Sequence, residues 1–163
     1  MTSDRLFVPS KQEYVRGKRP NVKCILCSVV NKDPKVDKLD IYSSENFIIS
    51  VNLYPYNPGH LMIFPKKHIE SVVELNDNEV LELHKLQVMS INILKENYNA
   101  QAFNIGYNIG LNSGASIEHL HLHIVPRYPR EVGFIDVISG TRIIVEDPIN
   151  TVNKLKKLFN KEN

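Results

Sequence analysis

Histidines alternate with apolar residues in the segment 119–124, which reads His-Leu-His-Leu-His-Ile. In a β-strand successive side chains point to opposite faces, so this segment would place three imidazoles on one face and its apolar side chains on the other. A buried core suits the apolar face, whereas each imidazole needs polar partners for its ring nitrogens. Half of the six histidines in the chain lie here, and we therefore expect the segment to be a chemical site.

The two cysteines form a second motif whose residue types and spacing could support chemistry, Cys24-Ile-Leu-Cys27. They are too close in sequence for an ordinary structural disulfide to close a useful loop, so the pair is expected to be a metal half-site or a redox pair. Zinc prefers four Cys and His ligands, and two more could come from the histidines, although spacing alone does not say which. The redox alternative is weaker because no thioredoxin-like βαβ pattern follows the cysteines.

An oxyanion site is indicated just before the histidines. Gly110, Ser113, Gly114 and Ser116 allow a backbone to approach an anion closely and offer N–H and hydroxyl donors. Such a stretch is usually only a turn, but its position next to three histidines favours phosphate binding. A neutral imidazole can attack phosphorus, act as a base or bind zinc, and one nitrogen cannot both bind metal and attack.

The elements that position these residues follow from residue periodicity. Asn76 and Glu79 form a capping-box pair at the start of a long helix, and Asp147 with Pro148 begins a last basic helix. We predict strands at 40–42, 47–51, 60–64, 103–107 and 142–145, and helices at 77–97 and 148–160. Strands outnumber helices and the long helix joins two strands, so the expected fold class is α+β.

Composition and length limit the function classes. With 163 residues, 42% hydrophobic and 23% charged, the chain is expected to form one domain over 24–130, preceded by an arm at 1–23 and followed by an extension at 131–163 packed on the same domain. A net charge of +2 is too small to indicate general nucleic-acid binding. No apolar run predicts a transmembrane helix and the first residues lack a signal-peptide core, so a reduced, cytoplasmic protein is expected.

The motifs together resemble one family. The segment 110–127, Gly-Leu-Asn-Ser-Gly-Ala-Ser-Ile-Glu-His-Leu-His-Leu-His-Ile-Val-Pro-Arg, is similar to the signature of the histidine-triad (HIT) nucleotide-binding proteins. The segment 57–68, Asn-Pro-Gly-His-Leu-Met-Ile-Phe-Pro-Lys-Lys-His, and the cysteine pair resemble further blocks of that family, over residues 24–127 in all. The resemblance implies a mainly antiparallel HIT fold with a long helix, and a homodimer, for which that helix and the adjacent strand are candidate contacts.

The resemblance also implies catalytic roles. The middle triad histidine, His121, would be the nucleophile toward the α-phosphorus, with its second nitrogen held by a backbone carbonyl. His123 would contact the phosphate, and His60 would hold the triad from behind. Ser116 would donate to the phosphate or to the leaving oxygen, while Asn108 and the backbone of Gly114 would line the same anion site.

Members of the family with a cysteine pair resemble a zinc-bearing branch. The ligands implied for this chain are Cys24, Cys27, His68 and His119. A closed four-ligand zinc of this kind would be structural.

The sequence departs from the family pattern at two positions. Ala115 stands where many members carry glutamine, and Asn52 stands where others bind ribose with an aspartate. These features and the downstream segment 133–146 resemble the microbial diadenosine-tetraphosphate phosphorylase-like branch. Leu53 and Phe47 are then candidates for the base pocket.

The expected function is cleavage of dinucleoside polyphosphates, such as diadenosine tetraphosphate, at the α-phosphate through a nucleotidyl-histidine intermediate. The acceptor could be phosphate or water, and the branch resemblance favours phosphate slightly. The alternatives are a purine nucleoside phosphoramidate hydrolase and a nucleotide-binding regulatory module with little turnover. The least favoured is a metal hydrolase that uses all three triad histidines.

Overall fold

One antiparallel sheet organises the part of the chain that the computed structural model describes, which is residues 20–129 and 146–161. The strand order within it is β1-β2-β3-β5-β4. The strands are β1 (Asp40–Ser43), β2 (Phe47–Val51), β3 (Leu61–Pro65), β4 (Ala102–Tyr107) and β5 (Leu122–Arg127), and the helices are α1 (Ile25–Val30), α2 (Asp77–Tyr98) and α3 (Pro148–Phe159). Short 3₁₀ turns occupy Val72–Glu74 and Leu111–Ser113. The strand predicted at 142–145 and residues 1–19 of the predicted arm lie outside the described residues.

The predicted α+β class is confirmed, and the helix ends agree with their capping residues. The side chain of Asn76 accepts a hydrogen bond from the backbone N–H of Glu79, and the side chain of Glu79 accepts one from the backbone N–H of Asn76. These two bonds form the capping box of α2. Asp147 accepts from the backbone of Ile149 and Pro148 is the first residue of α3. Both caps satisfy backbone donors that a helix start leaves without an intrahelical partner.

The two faces of the sheet have different functions. Alternate residues of the strands, such as Phe47, Ile49 and Ile124, form the main core with apolar residues of α2 and α3. On the opposite face, Ile48 and Phe64 pack with Leu26 of α1. The long helices therefore cover one face, and α1 covers part of the other and leaves space there for a site.

A half-buried carboxylate fixes the turn between β1 and β2 to α2. Glu82 accepts hydrogen bonds from the Ser44 hydroxyl and from the backbone N–H and side-chain amide of Asn46. Burial acts to raise the pKa of Glu82, but these hydrogen bonds outweigh it and hold the pKa below its usual value. The charged form of Glu82 thus stabilises the contact between helix and turn.

Helix α1 was not anticipated from the sequence. It has six residues, too few for a periodic pattern to indicate it. Its N-cap is Cys24, whose sulfur accepts from the backbone N–H of Cys27 at 3.5 Å. Among the described residues, no helix combines the length and the apolar character that crossing a bilayer requires.

The prediction that all three triad histidines lie on one strand is wrong, because β5 begins only at Leu122. The pairing of β5 with both neighbouring strands ends at this level: Leu122 makes the last pair with Tyr107 of β4 and with Ile63 of β3. β3 itself continues to Pro65, which has no N–H to donate. His119 and His121 therefore precede the strand and are buried with exposures of 1% and 4%. The hydrogen-bond partners of the ring nitrogens of His119 and His121 are described in the next section.

Candidate active site and metal centre

A cavity of about 690 Å³, which we call the first cavity, lies on the sheet face opposite α2 and α3. A cross-strand row of Ser50, Met62 and His123 contributes to its lining. Ile25 and Val29 of α1 supply an apolar wall. The volume falls within the range of roughly 300–1,000 Å³ that is usual for small-molecule sites.

The ring of His121 is held in one tautomer. Its Nδ1–H donates to the backbone carbonyl oxygen of His119 at 2.7 Å, so in the neutral ring Nε2 carries a lone pair. Burial lowers the pKa of His121 and outweighs the opposing effect of this hydrogen bond. At neutral pH the ring is therefore uncharged and presents an unprotonated nitrogen to the first cavity, which it lines.

A chain of hydrogen bonds also fixes His60 and His123. The backbone N–H of Tyr56 donates to His60 Nδ1 at 3.1 Å, so the proton of a neutral His60 ring is on Nε2. His60 Nε2 lies 3.0 Å from His123 Nδ1 and donates to it. The proton of His123 is then on Nε2, where it can be donated to an anion.

Asn52 lies at the same place but is not part of this chain of bonds. Its Oδ1 accepts from the backbone N–H of Tyr54 at 2.9 Å, which turns its amide nitrogen toward His60 Nε2 at 3.4 Å. Both of these nitrogens carry hydrogens in the tautomer assigned above, so we treat the 3.4 Å approach as a packing contact. Asn52 also lines the first cavity.

The loop that carries His60 is held on both sides. The Asn57 amide donates to the carbonyl of Pro126 at 2.6 Å, and the Tyr128 hydroxyl donates to that of Pro58 at 2.7 Å. Gly59 has φ +78°, and a Cβ there would lie 2.9 Å from Leu94 Cδ2 of α2. These contacts fix the backbone that donates to His60.

The glycine-serine stretch forms a loop at the mouth of the site. Gly110 and Gly114 flank the 3₁₀ turn with φ values of +79° and +87°, which are unfavourable for residues with a Cβ. Asn108, Gly114 and Ser116 line the first cavity together with His121 and His123. The loop therefore brings amide, backbone and hydroxyl donors to the two histidines.

Four potential metal ligands converge beside this site. Ligand atoms of Cys24, Cys27, His68 and His119 all lie within 4.8 Å of one another. Nδ1 of His119 is 3.4 Å from Cys24 Sγ and 3.5 Å from Cys27 Sγ, and Nδ1 of His68 is 3.4 Å from Cys27 Sγ. Around a tetrahedral zinc with the usual bond lengths, sulfur and nitrogen ligands lie about 3.5 Å apart. These four residues could thus hold a metal ion.

The protonation state of His119 also suits a cation, whereas Cys27 would have to lose its proton. His119 Nε2–H donates to the carbonyl of Pro65 at 2.8 Å, which leaves a lone pair on the Nδ1 that faces the sulfurs. Burial, together with the adjacent Cys24 thiol, raises the pKa of Cys27 to about 11. A thiolate at neutral pH would therefore need the charge of a bound cation to stabilise it.

The structure brings together nearly all of the residues predicted for the active site. His60 has no exposed surface and lies behind His123. The predicted residues that line the first cavity are Asn52, Leu53, Asn108, Gly114, Ser116, His121 and His123.

Phe47 is placed elsewhere, which corrects its predicted position in the base pocket. It is 1% exposed and packs in the main core on the opposite sheet face. The reason is the period of two in β2: Ser50 and Asn52 face the cavity, and Phe47 has the opposite parity. That signal was already present in the sequence.

Other cavity residues were missed by sequence reasoning. Asp37 is the only acidic side chain among the described residues that line the first cavity. It lies in an irregular segment before β1, where no periodicity predicts an orientation. The residues of α1 were missed for the same reason, and Ser50 could have been found from its parity with Asn52.

Fold and site define an α+β protein in which a buried, uncharged histidine and a glycine-serine loop line one cavity next to a potential metal centre. The chain belongs to the histidine-triad family. Residues 23–132 match the family model described as "Scavenger mRNA decapping enzyme C-term binding", and solved histidine-triad structures share the fold. The resemblance inferred from the motifs is thus confirmed.

Relatives agree with this assignment. A protein named AP-4-A phosphorylase, from Mycobacterium tuberculosis, is 41% identical over 149 residues, which cover 86% of this chain and 76% of that protein. This relative is named as an enzyme, and the expectation of a HIT-family enzyme is confirmed.

Solved structures agree as well. A hypothetical histidine triad nucleotide-binding protein from Sulfolobus tokodaii is 28% identical with a TM-score of 0.67, over 85% of this chain and 90% of that one. A histidine triad protein from Mycobacterium smegmatis, described as Zn-bound, is 21% identical with a TM-score of 0.67, over 86% of this chain and 98% of that one, and shares the fold.

Proposed function

We propose that the protein cleaves dinucleoside polyphosphates, such as diadenosine tetraphosphate, through a covalent nucleotidyl intermediate on His121. The observation that carries the proposal is the 2.7 Å hydrogen bond from His121 Nδ1 to a backbone carbonyl, which leaves Nε2 available to a ligand in the first cavity. The relative named AP-4-A phosphorylase supports this substrate class.

In the first step, the lone pair of His121 Nε2 forms a bond to the α-phosphorus while the bond from that phosphorus to the bridging oxygen breaks. The electron pair of the broken bond stays on the leaving polyphosphate, which departs as an anion. The imidazole then carries a positive charge, and the carbonyl of His119 stabilises it by accepting from Nδ1–H.

In the second step, an oxygen of phosphate or water attacks the same phosphorus. The nitrogen–phosphorus bond breaks and its electron pair returns to Nε2, while an attacking water also loses a proton to solvent. With diadenosine tetraphosphate the first step releases ATP, and the second yields ADP if the acceptor is phosphate and AMP if it is water. We favour phosphate because of the name of the 41% identical relative.

The other residues bind and orient the substrate. His123 Nε2–H donates to an oxygen of the α-phosphate, because its Nδ1 is occupied by His60. Ser116 and the backbone at Gly114 offer further donors at the same place, and Asn52 with Leu53 lines the region for the nucleoside. These donors stabilise the charge that develops on the phosphate oxygens.

We further propose that Cys24, Cys27, His68 and His119 hold a structural zinc. Two sulfur and two nitrogen ligands are the set that zinc prefers, and the distances between them agree with that geometry. The ion would connect the start of α1 to the segment that carries the nucleophile and would take no part in the reaction. Thiolate ligands need reduced cysteines, which fits a reducing compartment such as the cytoplasm.

A homodimer is also proposed. In the described part of the chain β4 is one of the two edge strands of the sheet, and its Ile105 is exposed. An uncovered edge strand readily pairs with another strand, so two copies would join through β4. Light scattering in solution tests this, and the mass of a single 18.7 kDa chain would refute it.

The main proposal is tested by incubating the protein with diadenosine tetraphosphate, with and without phosphate, and by mass spectrometry of the trapped protein. We expect adenylate on His121, and ADP with ATP as products when phosphate is present. AMP with ATP alone would exclude phosphorolysis. His121→Ala should abolish cleavage, whereas His84→Ala, on the exposed surface of α2, should not. Cleavage by His121→Ala at the wild-type rate would refute the mechanism.

A further inference from the structure

Tyr98, the last residue of α2, lies between the C-terminal helix and the loop that carries His60. Its hydroxyl donates to Glu146 Oε1 at 3.2 Å. The ammonium nitrogen of Lys154 lies 3.7 Å from the centroid of its ring, a distance at which a cation is attracted to an aromatic face. Glu146 lies just before α3 and Lys154 lies within it, so both contacts connect the Tyr98 ring to the C-terminal segment.

Tyr98 also borders Gly59, the residue before His60. A Cβ at Gly59 would lie 3.4 Å from Cδ1 of Tyr98 and 3.4 Å from the Tyr128 hydroxyl, which are ordinary packing distances. One of these tyrosines belongs to α2 and the other directly follows β5. The backbone of Gly59 is therefore enclosed by two tyrosine side chains from different parts of the fold.

The shape of this loop determines the tautomer of His60. The backbone N–H of His60 donates to the carbonyl of Asn57 at 3.1 Å, and the same turn brings the backbone N–H of Tyr56 to His60 Nδ1 at 3.1 Å. A shift of the backbone at Gly59 would change the direction of the Tyr56 N–H relative to the ring. Without that bond, His60 could carry its proton on Nδ1 and could then no longer donate from Nε2 to His123.

The hydroxyl of Tyr98 is protonated in this position. Burial raises the pKa of Tyr98, and the negative charge of Glu146 and the hydrogen bond to it raise the pKa further. The hydroxyl is therefore a donor at neutral pH. Phenylalanine keeps the ring and loses this bond, whereas leucine loses both, so the two substitutions separate the contribution of the hydroxyl from that of the ring.

No residue of α3, a helix that is described over its whole length, lines the first cavity. We propose that α3 nevertheless acts on catalysis, through Tyr98 as a positioning residue. The C-terminal segment holds the Tyr98 ring against Gly59, which keeps the loop 56–60 in the shape that fixes the protons of His60 and His123. The effect on the rate rests on the function proposed above, whereas the effect on the two protons does not.

The test reads the tautomers of His60 and His123 from the nitrogen NMR resonances of their rings in the free protein. It also compares kcat and KM for diadenosine tetraphosphate. In the wild type both rings should carry the proton on Nε2. Tyr98→Leu should convert part of the His60 population to the Nδ1–H form and lower kcat about tenfold, with KM within about threefold of wild type. Tyr98→Phe should restore the wild-type resonances and a kcat within about twofold of wild type.

A double variant tests the contribution of α3 without a change in the core. Glu146→Gln with Lys154→Met weakens both contacts of the C-terminal segment with the Tyr98 ring, and Lys154 is exposed. The tautomers should shift in the same direction as in Tyr98→Leu, and kcat should fall about fivefold. Thermal unfolding shows whether each variant is folded, and if Tyr98→Leu does not fold, the double variant alone decides.

The matched control is Tyr42→Leu. Tyr42 is also partly buried against the main core and contacts α3 through Phe159, with ring centroids 6.0 Å apart, but it is not among the nearest neighbours of Gly59. It should change neither the tautomers nor kcat. Wild-type tautomers in the folded Tyr98→Leu protein or in the double variant, or an equal loss of kcat in Tyr42→Leu, would overturn the inference. If the wild-type protein does not cleave the dinucleotide, the proposed function fails and the tautomers still decide the inference.

Discussion

His60 determines which nitrogen of His123 carries the proton, and this can be tested by substitution. His60→Phe keeps a ring that can stack on Tyr56, whose ring centroid is 5.1 Å from that of His60, but it removes the donor to His123 Nδ1. His60→Gln keeps a side-chain N–H near the position of Nε2. Phenylalanine should therefore impair catalysis strongly and glutamine should restore much of it.

The magnitude follows from the hydrogen bond that is lost. The 3.0 Å bond between His60 Nε2 and His123 Nδ1 lies in a site where His60 has no exposed surface. Leaving such a group without a partner costs about 1–3 kcal/mol. Since a tenfold change in rate corresponds to about 1.4 kcal/mol, His60→Phe should lower the rate of the chemical step roughly 5- to 150-fold.

The assay is a single-turnover measurement of leaving-nucleotide release from diadenosine tetraphosphate, with thermal unfolding to show that each variant is folded. The Phe variant should be slower by the factor above, and the Gln variant should lie within about tenfold of wild type. Equal rates for folded Phe and Gln variants would refute the reasoning, because packing and not the donated proton would then explain the effect.

Other parts of the molecule give further expectations. Cys27→Ser should lose bound zinc in elemental analysis while His121→Ala retains it; the opposite pattern would support a metal site built from the triad. Glu82→Gln should lower the free energy of unfolding in urea by about 1–2 kcal/mol, and Glu96→Gln on the exposed surface of α2 should not. Because the folded pKa of Glu82 is lowered, its contribution should be present above about pH 4.3 and decline as the pH falls below that; a loss that is independent of pH would contradict this. Asp37→Asn should raise KM about tenfold, with kcat unchanged, because the carboxylate of Asp37 lines the first cavity and can accept hydrogen bonds from the hydroxyl groups of a bound nucleotide; an unchanged KM would contradict this.

Local patterns were sufficient to predict the main elements. The predicted strand at 47–51 is observed with the same ends, and the helix predicted at 77–97 ends one residue later, at Tyr98. Both have strong local signals, an apolar run in one and a capping box with helical periodicity in the other. The metal cluster was different: Cys24 and His119 are 95 positions apart, so spacing alone could not join them and the family resemblance was needed.

The parts that could not be predicted depend on tertiary contacts. The tautomer of His60 follows from the N–H of Tyr56, whose direction is known only once the backbone is folded. The backbone carbonyl that holds Nδ1 of His121 was expected, but only from the family resemblance. The apolar wall of the first cavity depends on the position of α1, which is too short for periodicity to reveal. The buried state of His119 was unexpected because the acceptor of its Nε2–H, the carbonyl of Pro65, is distant in sequence.

The strand order has a consequence for folding. β5 lies between β3 and β4, and both of these precede it in the chain. During synthesis the two flanking strands therefore emerge before the strand that must pair with both, and closing such long-range contacts is a slow step. Because His121 precedes β5 directly and His123 lies in it, no nucleophile can be in place until that insertion is complete. A partly folded chain would accordingly have neither the phosphate site nor a closed metal site, and catalytic competence would be gained in a single late event.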